Sequence, residues 1–260
     1  EGLEVRIVKN RDWQVDIDDV ARVVDGNTRL IATTLVSNVN GYLSDIAALS
    51  NLAHAHGAYI YVDIIQGAGA VPIDVRAMGI DFAACSTFKW LMGVKGFGFL
   101  YVREDLQGTV AKPTQHCGGV SFEYPPWREA PHSAADIAFA PVSGPEMYEV
   151  SYPSYEGAVS AQVSLRYILD LGVDRIRAHA RELTDRLQRE MPALGYPSIT
   201  PEDNESPIVS FVVVDPDATM TRLKQAGVHV ALRFGDKMRI SPSVYNNHQD
   251  LDRLLAALPQ

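Results

Sequence analysis

Four polar side chains punctuate an otherwise apolar stretch between Tyr59 and Arg103. Asp63 ends the run Tyr59-Ile-Tyr-Val-Asp63, and Gln66 follows it by three positions. Ser86 ends the run Phe82-Ala-Ala-Cys-Ser86, and Lys89 follows in Ser-Thr-Phe-Lys-Trp. An amine set beside an acid, an amide and a hydroxyl suits carbonyl chemistry. A lysine condenses with an aldehyde to a Schiff base, and a carboxylate placed opposite keeps a pyridine nitrogen protonated. Pyridoxal 5′-phosphate (PLP) needs both groups. Its protonated ring takes electrons from a substrate α-carbon, and the released lysine serves as acid and base. Lys89 and Asp63 are then the catalytic pair; Gln66 donates to the ring's phenolic oxygen and Ser86 reaches the phosphate. Singly, each has a plainer explanation. A lysine past a strand is commonly a solvated surface residue, and an aspartate there commonly caps a turn. The joint order and spacing carry the argument. Lys95 is the competing amine, but it lies between Gly93 and Gly96 in a turn-like sequence.

These side chains need strands to place them. Ala58 to Val62, Phe82 to Cys85 and Gly98 to Val102 are short apolar runs rich in β-branched and aromatic residues, as strands are. Thr28 to Val36 is a fourth, ending at Ser37-Asn38-Val39-Asn40-Gly41. Between them, Ser44 to His56 carries apolar residues near i, i+3, i+4 and i+7 and stops at Gly57, which reads as an amphipathic helix and its C-cap. Strand, helix, strand gives a parallel, right-handed unit. In such α/β sheets ligands bind beyond the carboxyl ends of the strands, which is where all four polar residues fall. Gly2 to Val8 alternates and predicts a further strand, and Asp16 to Val24 a short helix opened by an acid. A long helical region runs from about Glu156 to Met191, broken at Gly172. Strands over 207–214, 228–232 and 237–240 and helices over 218–226 and 250–258 complete a smaller α+β unit. The expected division is a PLP-binding large domain over 1–155, a bridging helical region over 156–190 and a small domain over 191–260.

The same stretch resembles the class V aminotransferase family of fold-type I PLP enzymes, which includes cysteine desulfurases, kynureninases and isopenicillin-epimerase-like proteins. The family pattern is strand-Asp-x-x-Gln, then Ser-x-His-Lys, then Gly-x-Gly-Phe-Leu-Tyr-Val-Arg. This chain has Asp63-Ile-Ile-Gln66, Ser86-Thr-Phe88-Lys89 and Gly96-Phe-Gly-Phe-Leu-Tyr-Val-Arg103. Phe88 departs from the pattern, standing where the family has a histidine that touches the phosphate. The resemblance implies an α/β fold-type I large domain with a mainly parallel sheet, a smaller C-terminal α+β domain and a homodimer. It also implies that Asn38 contacts the ring oxygen or the substrate. It enters mid-pattern at Glu1, so the N-terminal part that carries the family's phosphate loop is expected to be missing. Tyr148 to Tyr155 resembles the family's Gly-Thr-Pro segment, with Ser151-Tyr152-Pro153 in its place.

An amino-acid substrate needs a cation for its carboxylate, and arginine binds one bidentately. Met238-Arg239-Ile-Ser-Pro resembles the family segment that carries this arginine, so Arg239 is the expected carboxylate ligand, with Arg233 the second candidate. In cysteine desulfurases the matching interval is longer and holds a nucleophilic cysteine. Here Phe234 to Met238 holds none. Persulfide chemistry needs a thiolate poised over the bound substrate, so a desulfurase is disfavoured. The resemblance implies an aminotransferase-like enzyme, where this motif set is commonest, with a C–S lyase or epimerase as the alternative.

A net charge of −9 disfavours nonspecific nucleic-acid binding, and no apolar run is long enough to span a membrane. Two cysteines, Cys85 and Cys117, make no disulfide framework and fit a reducing cytoplasm. Cys85 sits in an apolar strand and reads as a small buried hydrophobe. His54 and His56, two apart on a helix, make a poor metal pair, and His116-Cys117 has no second ligand cluster behind it. Two other classes stay open. Gly93, Gly96 and Gly98 weakly resemble a dinucleotide fingerprint, but they precede a strand instead of opening a helix after one. A non-catalytic binding module of the PLP fold is the other.

Overall fold

The computed structural model describes residues 2–112, 120–122, 139–141, 144–149 and 154–258. Its first sheet has the order β1 (Leu30–Thr34), β2 (Tyr59–Asp63), β3 (Phe82–Ser86) and β4 (Gly98–Val102). β1, β2 and β3 run parallel, and β4 returns antiparallel to β3. The parallel step from β1 to β2 is made by helix α2 (Ile46–Ala55), which Asp45 caps by accepting from the Ala48 amide at 2.9 Å. Ile46, Leu49, Ser50 and Ala53 form its buried face, the spacing of one helical stripe. β3 and β4 are joined by a loop with no helix, so an antiparallel pairing is the one available to them.

Alternation along the strands separates two faces. Ile60, Val62, Ala83 and Cys85 point into a core with Leu35, Val36 and the buried side of α2. Tyr61, Asp63, Ala84 and Ser86 point the other way. The N-terminal end of β3 is anchored by Asp81, which is fully buried. Its carboxylate accepts from the Ile60 amide at 2.8 Å, from His54 Nε2 at 2.9 Å and from Arg103.

Short helix α1 (Ile17–Ala21) is capped by Asp16. The strand expected over Gly2 to Val8 does not form. Leu3, Val5 and Ile7 are each more than 80% exposed, and no strand pairs with this segment among the described residues. Alternation alone is not enough where there is no sheet edge and no core to bury one face. β5 (Val120–Phe122) and β6 (Phe139–Pro141) pair antiparallel. His116, Cys117, Ser151 and Tyr152 lie outside the described residues.

Helices α3 (Tyr155–Leu171) and α4 (Val173–Glu190) meet at Gly172, whose φ of +84° breaks the run where the sequence predicts. Ile176 of α4 packs into the first core, while Leu183 and Leu187 pack into a second. That second core lies under a three-stranded antiparallel sheet, β7 (Val209–Val212), β9 (Lys237–Ile240) and β8 (Ala231–Arg233), with helices α5 (Pro216–Gln225) and α6 (His248–Ala257). Phe211 and Met238, both fully buried, are cross-strand partners at its centre.

Candidate active site

The face of the first sheet that carries Tyr61, Asp63, Ala84 and Ser86 lines an open cleft of about 400 Å³, closed on the β4 side by Gly98, Phe99 and Leu100. Strand register sets the spacing: Asp63 pairs with Ala84, and Ser86 with Gly98. Asp63 Oδ1 accepts from the Ile65 amide at 2.9 Å, and its other oxygen has no partner among the described residues. Ser86 stands at the carboxyl end of β3, beside the cleft.

Lys89 follows in a loop that sequence reasoning left unexplained. Thr87, almost fully buried, donates from Oγ1 to the carbonyls of Phe97 at 3.0 Å and Val94 at 3.2 Å. The Gly93 amide donates to the Thr87 carbonyl at 2.8 Å, and a Cβ on Gly93 would come within 2.6 Å of Thr87 Oγ1. Trp90 fixes the other flank. Its indole Nε1 donates to Gln66 Oε1 at 3.2 Å. Gln66 is only 6% exposed, and its amide nitrogen makes no hydrogen bond among the described residues. Phe88 is 43% exposed. Lys95 is exposed in a turn, as expected.

Electrostatics bring the remaining residues to Lys89. The half-buried amine is held below the ordinary lysine value, first by burial. Asp63 pulls the other way, while Arg239 and, more weakly, Arg233 push it further down. A lowered value favours the neutral amine, which is the form that attacks an aldehyde. Asp63 also raises the Tyr61 phenol, after burial. Cys85 is pushed up to about 11, chiefly by burial and then by Asp63, so its thiol stays protonated. Arg239 itself is lowered by burial and then by Arg233. Its Nη1 donates to the Asn38 carbonyl at 2.8 Å, and its buried Nε has no partner among the described residues. A buried donor left unpaired is uncommon and calls for an acceptor. Asn38 is exposed; here its backbone, not its side chain, makes the recorded contact. Lys89, Asp63, Ser86, Arg233 and Arg239 therefore share one neighbourhood. Gln66 lies behind it. No group of three or more potential metal ligands occurs among the described residues.

The turn at Asn38 is held in an uncommon way. Four successive carbonyls, of Asn38, Val39, Asn40 and Gly41, accept in order from Arg239, Ser210, Thr200 and Ser206. The strand-end turn of the first sheet is thus gripped by side chains from the second sheet and the segment before it.

The class-V aminotransferase family model matches residues 1–254. The chain belongs to that family. Its sequence is 28% identical over 97% of its length to a protein of Methanothermobacter thermautotrophicus named "Probable cysteine desulfurase", and 26% identical over 99% to a cysteine desulfurase of Escherichia coli. The apo structure of a cysteine desulfurase from Thermococcus onnurineus superposes on 98% of the chain with a TM-score of 0.86 at 26% identity. The chain spans 66%, 64% and 65% of the lengths of these three relatives. The α/β, fold-type I architecture is the one the sequence predicts, and the family uses PLP.

The donor set fits that group in part. Asp63 offers a carboxylate oxygen and Ser86 a hydroxyl at one cleft large enough for a pyridine ring, and Lys89, three residues past Ser86 and within reach of the Asp63 charge, offers the amine. An aromatic side chain, Phe88, stands where a cationic phosphate ligand is expected. Ser86 is the hydroxyl among the described residues that lines the cleft.

Proposed function

We propose that this chain forms part of a PLP-dependent enzyme that acts on an α-amino acid through Lys89. The proximity of Asp63 and Arg239 to the Lys89 amine, beside a cleft that Asp63 and Ser86 line, carries the proposal. When bound, PLP supplies an electron sink for the substrate α-carbon. The chain's residues do the rest. Lys89 attacks through its neutral form, which burial favours, and afterwards moves the α-proton; Asp63 keeps the pyridine nitrogen protonated; Arg239 offers its Nε to the substrate carboxylate. The Gln66 amide, its oxygen committed to Trp90, has only donors left for a phenolic oxygen.

A single lysine that can serve two carbons in turn suits an aminotransferase. The second reading is a C–S lyase, which the names of the relatives support. Against a persulfide route, the turn between Arg233 and Lys237 has no thiol, and Cys85 is protonated and buried. The two cores, joined through α4, support the division into a large and a small domain; the family points to a homodimer, and the lack of a disulfide framework in the sequence to a reducing cytoplasm. The test is an absorption titration of the purified chain with PLP. A long-wavelength band that Lys89→Ala abolishes supports the enzyme; a band unaffected by that substitution overturns the assignment of Lys89. Amino acids are then screened for the change in that band; a keto acid formed without ammonia or sulfide indicates transamination, and release of sulfide indicates C–S cleavage.

A further inference from the structure

Two aromatic rings meet at backbone positions that disfavour them. Asp12 and Trp13 have φ of +48° and +64°, in a tight turn closed by reciprocal hydrogen bonds between Arg11 and Gln14 at 2.9 and 2.8 Å. Phe234 has φ of +49° and precedes Gly235 at +84°, in the turn from β8 to β9. A bulky residue in the left-handed region is strained where glycine is not, and such strain persists only when something nearby maintains it. The Trp13 and Phe234 ring centroids lie 5.5 Å apart at 38°. Phe234 is otherwise 71% exposed, so this contact is its packing.

The contact ties the site's two arginines to one support. In the β8–β9 register Ala231 pairs with Arg239 and Arg233 with Lys237, so both arginines lie on the face opposite the buried Met238. Arg239 is already held by the Asn38 carbonyl. The Trp13 carbonyl accepts from Asn40 Nδ2 at 3.3 Å in that same turn. The Arg233 side chain has no hydrogen bond or ion pair among the described residues, and Phe234 is its chain neighbour. We infer that Trp13 and Phe234 are positioning residues, whose contact holds the β8–β9 turn so that Arg233 stands over the Lys89 cleft. This rests on Lys89 being the reacting amine. The groups that act on that amine are Asp63, Arg239, Cys85 and Arg233; the inference concerns the last of them.

The test measures Lys89 without any cofactor. Acetic anhydride labelling of the intact chain, followed by peptide mass spectrometry across pH, gives the pH of half-labelling at Lys89, with Lys95 as the internal control. Trp13→Gly and Phe234→Gly each remove a ring and also relieve the left-handed strain. With Arg233 released, half-labelling moves to higher pH, and Lys89 labels more slowly below its midpoint. Exchange of the amides at 233–237 speeds up, and Tm does not fall. Trp13→Phe keeps wild-type behaviour. Should a glycine variant fail to fold, Phe234→Asn, which tolerates the left-handed region, is expected to give the same shift. A wild-type Lys89 profile in folded variants that lack either ring overturns the inference and leaves the contact as packing alone. If the profile shifts but wild-type Lys89 takes no pyridoxyl label from PLP and borohydride, the positioning contact stands and the identification of the reacting amine falls.

Discussion

Arg239 donates to the Asn38 carbonyl across 201 residues of sequence, at 2.8 Å. That bond joins the turn after β1 in the first sheet to β9 of the second, the strand that carries Arg239. With Ser210, Thr200 and Ser206 on the next three carbonyls, the turn and the second sheet behave as one support for the site. Arg239→Gln is expected to weaken any carboxylate ligand by about tenfold or more and to raise the Lys89 amine toward its ordinary value. Calorimetry and the pH profile of Lys89 labelling measure the two effects. An unchanged affinity would remove Arg239 from the binding role.

Gly41 closes that turn with φ of +79°, and a Cβ there would lie 1.9 Å from the Ile208 carbonyl oxygen. No small adjustment relieves a clash with backbone on both sides. Gly41→Ala is expected to cost about 3 kcal/mol or more in urea unfolding. A loss under about 1 kcal/mol would mean that the grip between turn and second sheet is loose.

Asp81 sits at the other end of β3 from Ser86 and Lys89. Removing it strands the Ile60 amide and leaves Arg103 without its buried partner. Asp81→Ala is expected to destabilise the fold by roughly 3–5 kcal/mol, measured by urea midpoint. Thr87→Val deletes only the hydroxyl that pins the lysine loop, and its expected cost is smaller, about 1–3 kcal/mol. Its signature is local: faster amide exchange over 88–97 with little change elsewhere.

Cys85 gives a prediction with a definite sign. Its thiol goes from 9.0 to about 11 on folding, so between those values the unfolded chain has lost a proton that the native chain keeps. Stability therefore falls as pH rises through that window, and Cys85→Ala removes this part of the slope. At pH 8 iodoacetamide is expected to modify Cys85 roughly a hundredfold more slowly in the folded chain than in the unfolded one. Comparable rates would show that the cleft exposes a thiolate.

Much of this was legible in the sequence because strand ends are written in it. Asp63 and Ser86 terminate alternating runs, and the sheet puts both on one face by register alone. Gly57 and Gly172 mark helix ends for the reason glycine favours left-handed backbone. What escaped was set by tertiary neighbours. Gly2 to Val8 alternates like a strand but finds no edge to pair with. Thr87 looks like an ordinary loop threonine until its carbonyl partners at Val94 and Phe97 are known. The Trp90 bond to Gln66 needs two loops to meet, and the Trp13–Phe234 contact spans nearly the whole chain. For Trp13 a signal was available: Arg11-Asp-Trp-Gln14 is a tight turn with no glycine to ease it.

The most direct test of the account is chemical. The chain is incubated with PLP, reduced with borohydride and mapped by peptide mass spectrometry. The expected result is a pyridoxyl group on Lys89 and on no other lysine, with the yield reduced in Asp63→Asn. A label on Lys95, or spread evenly over the surface lysines, would contradict the account.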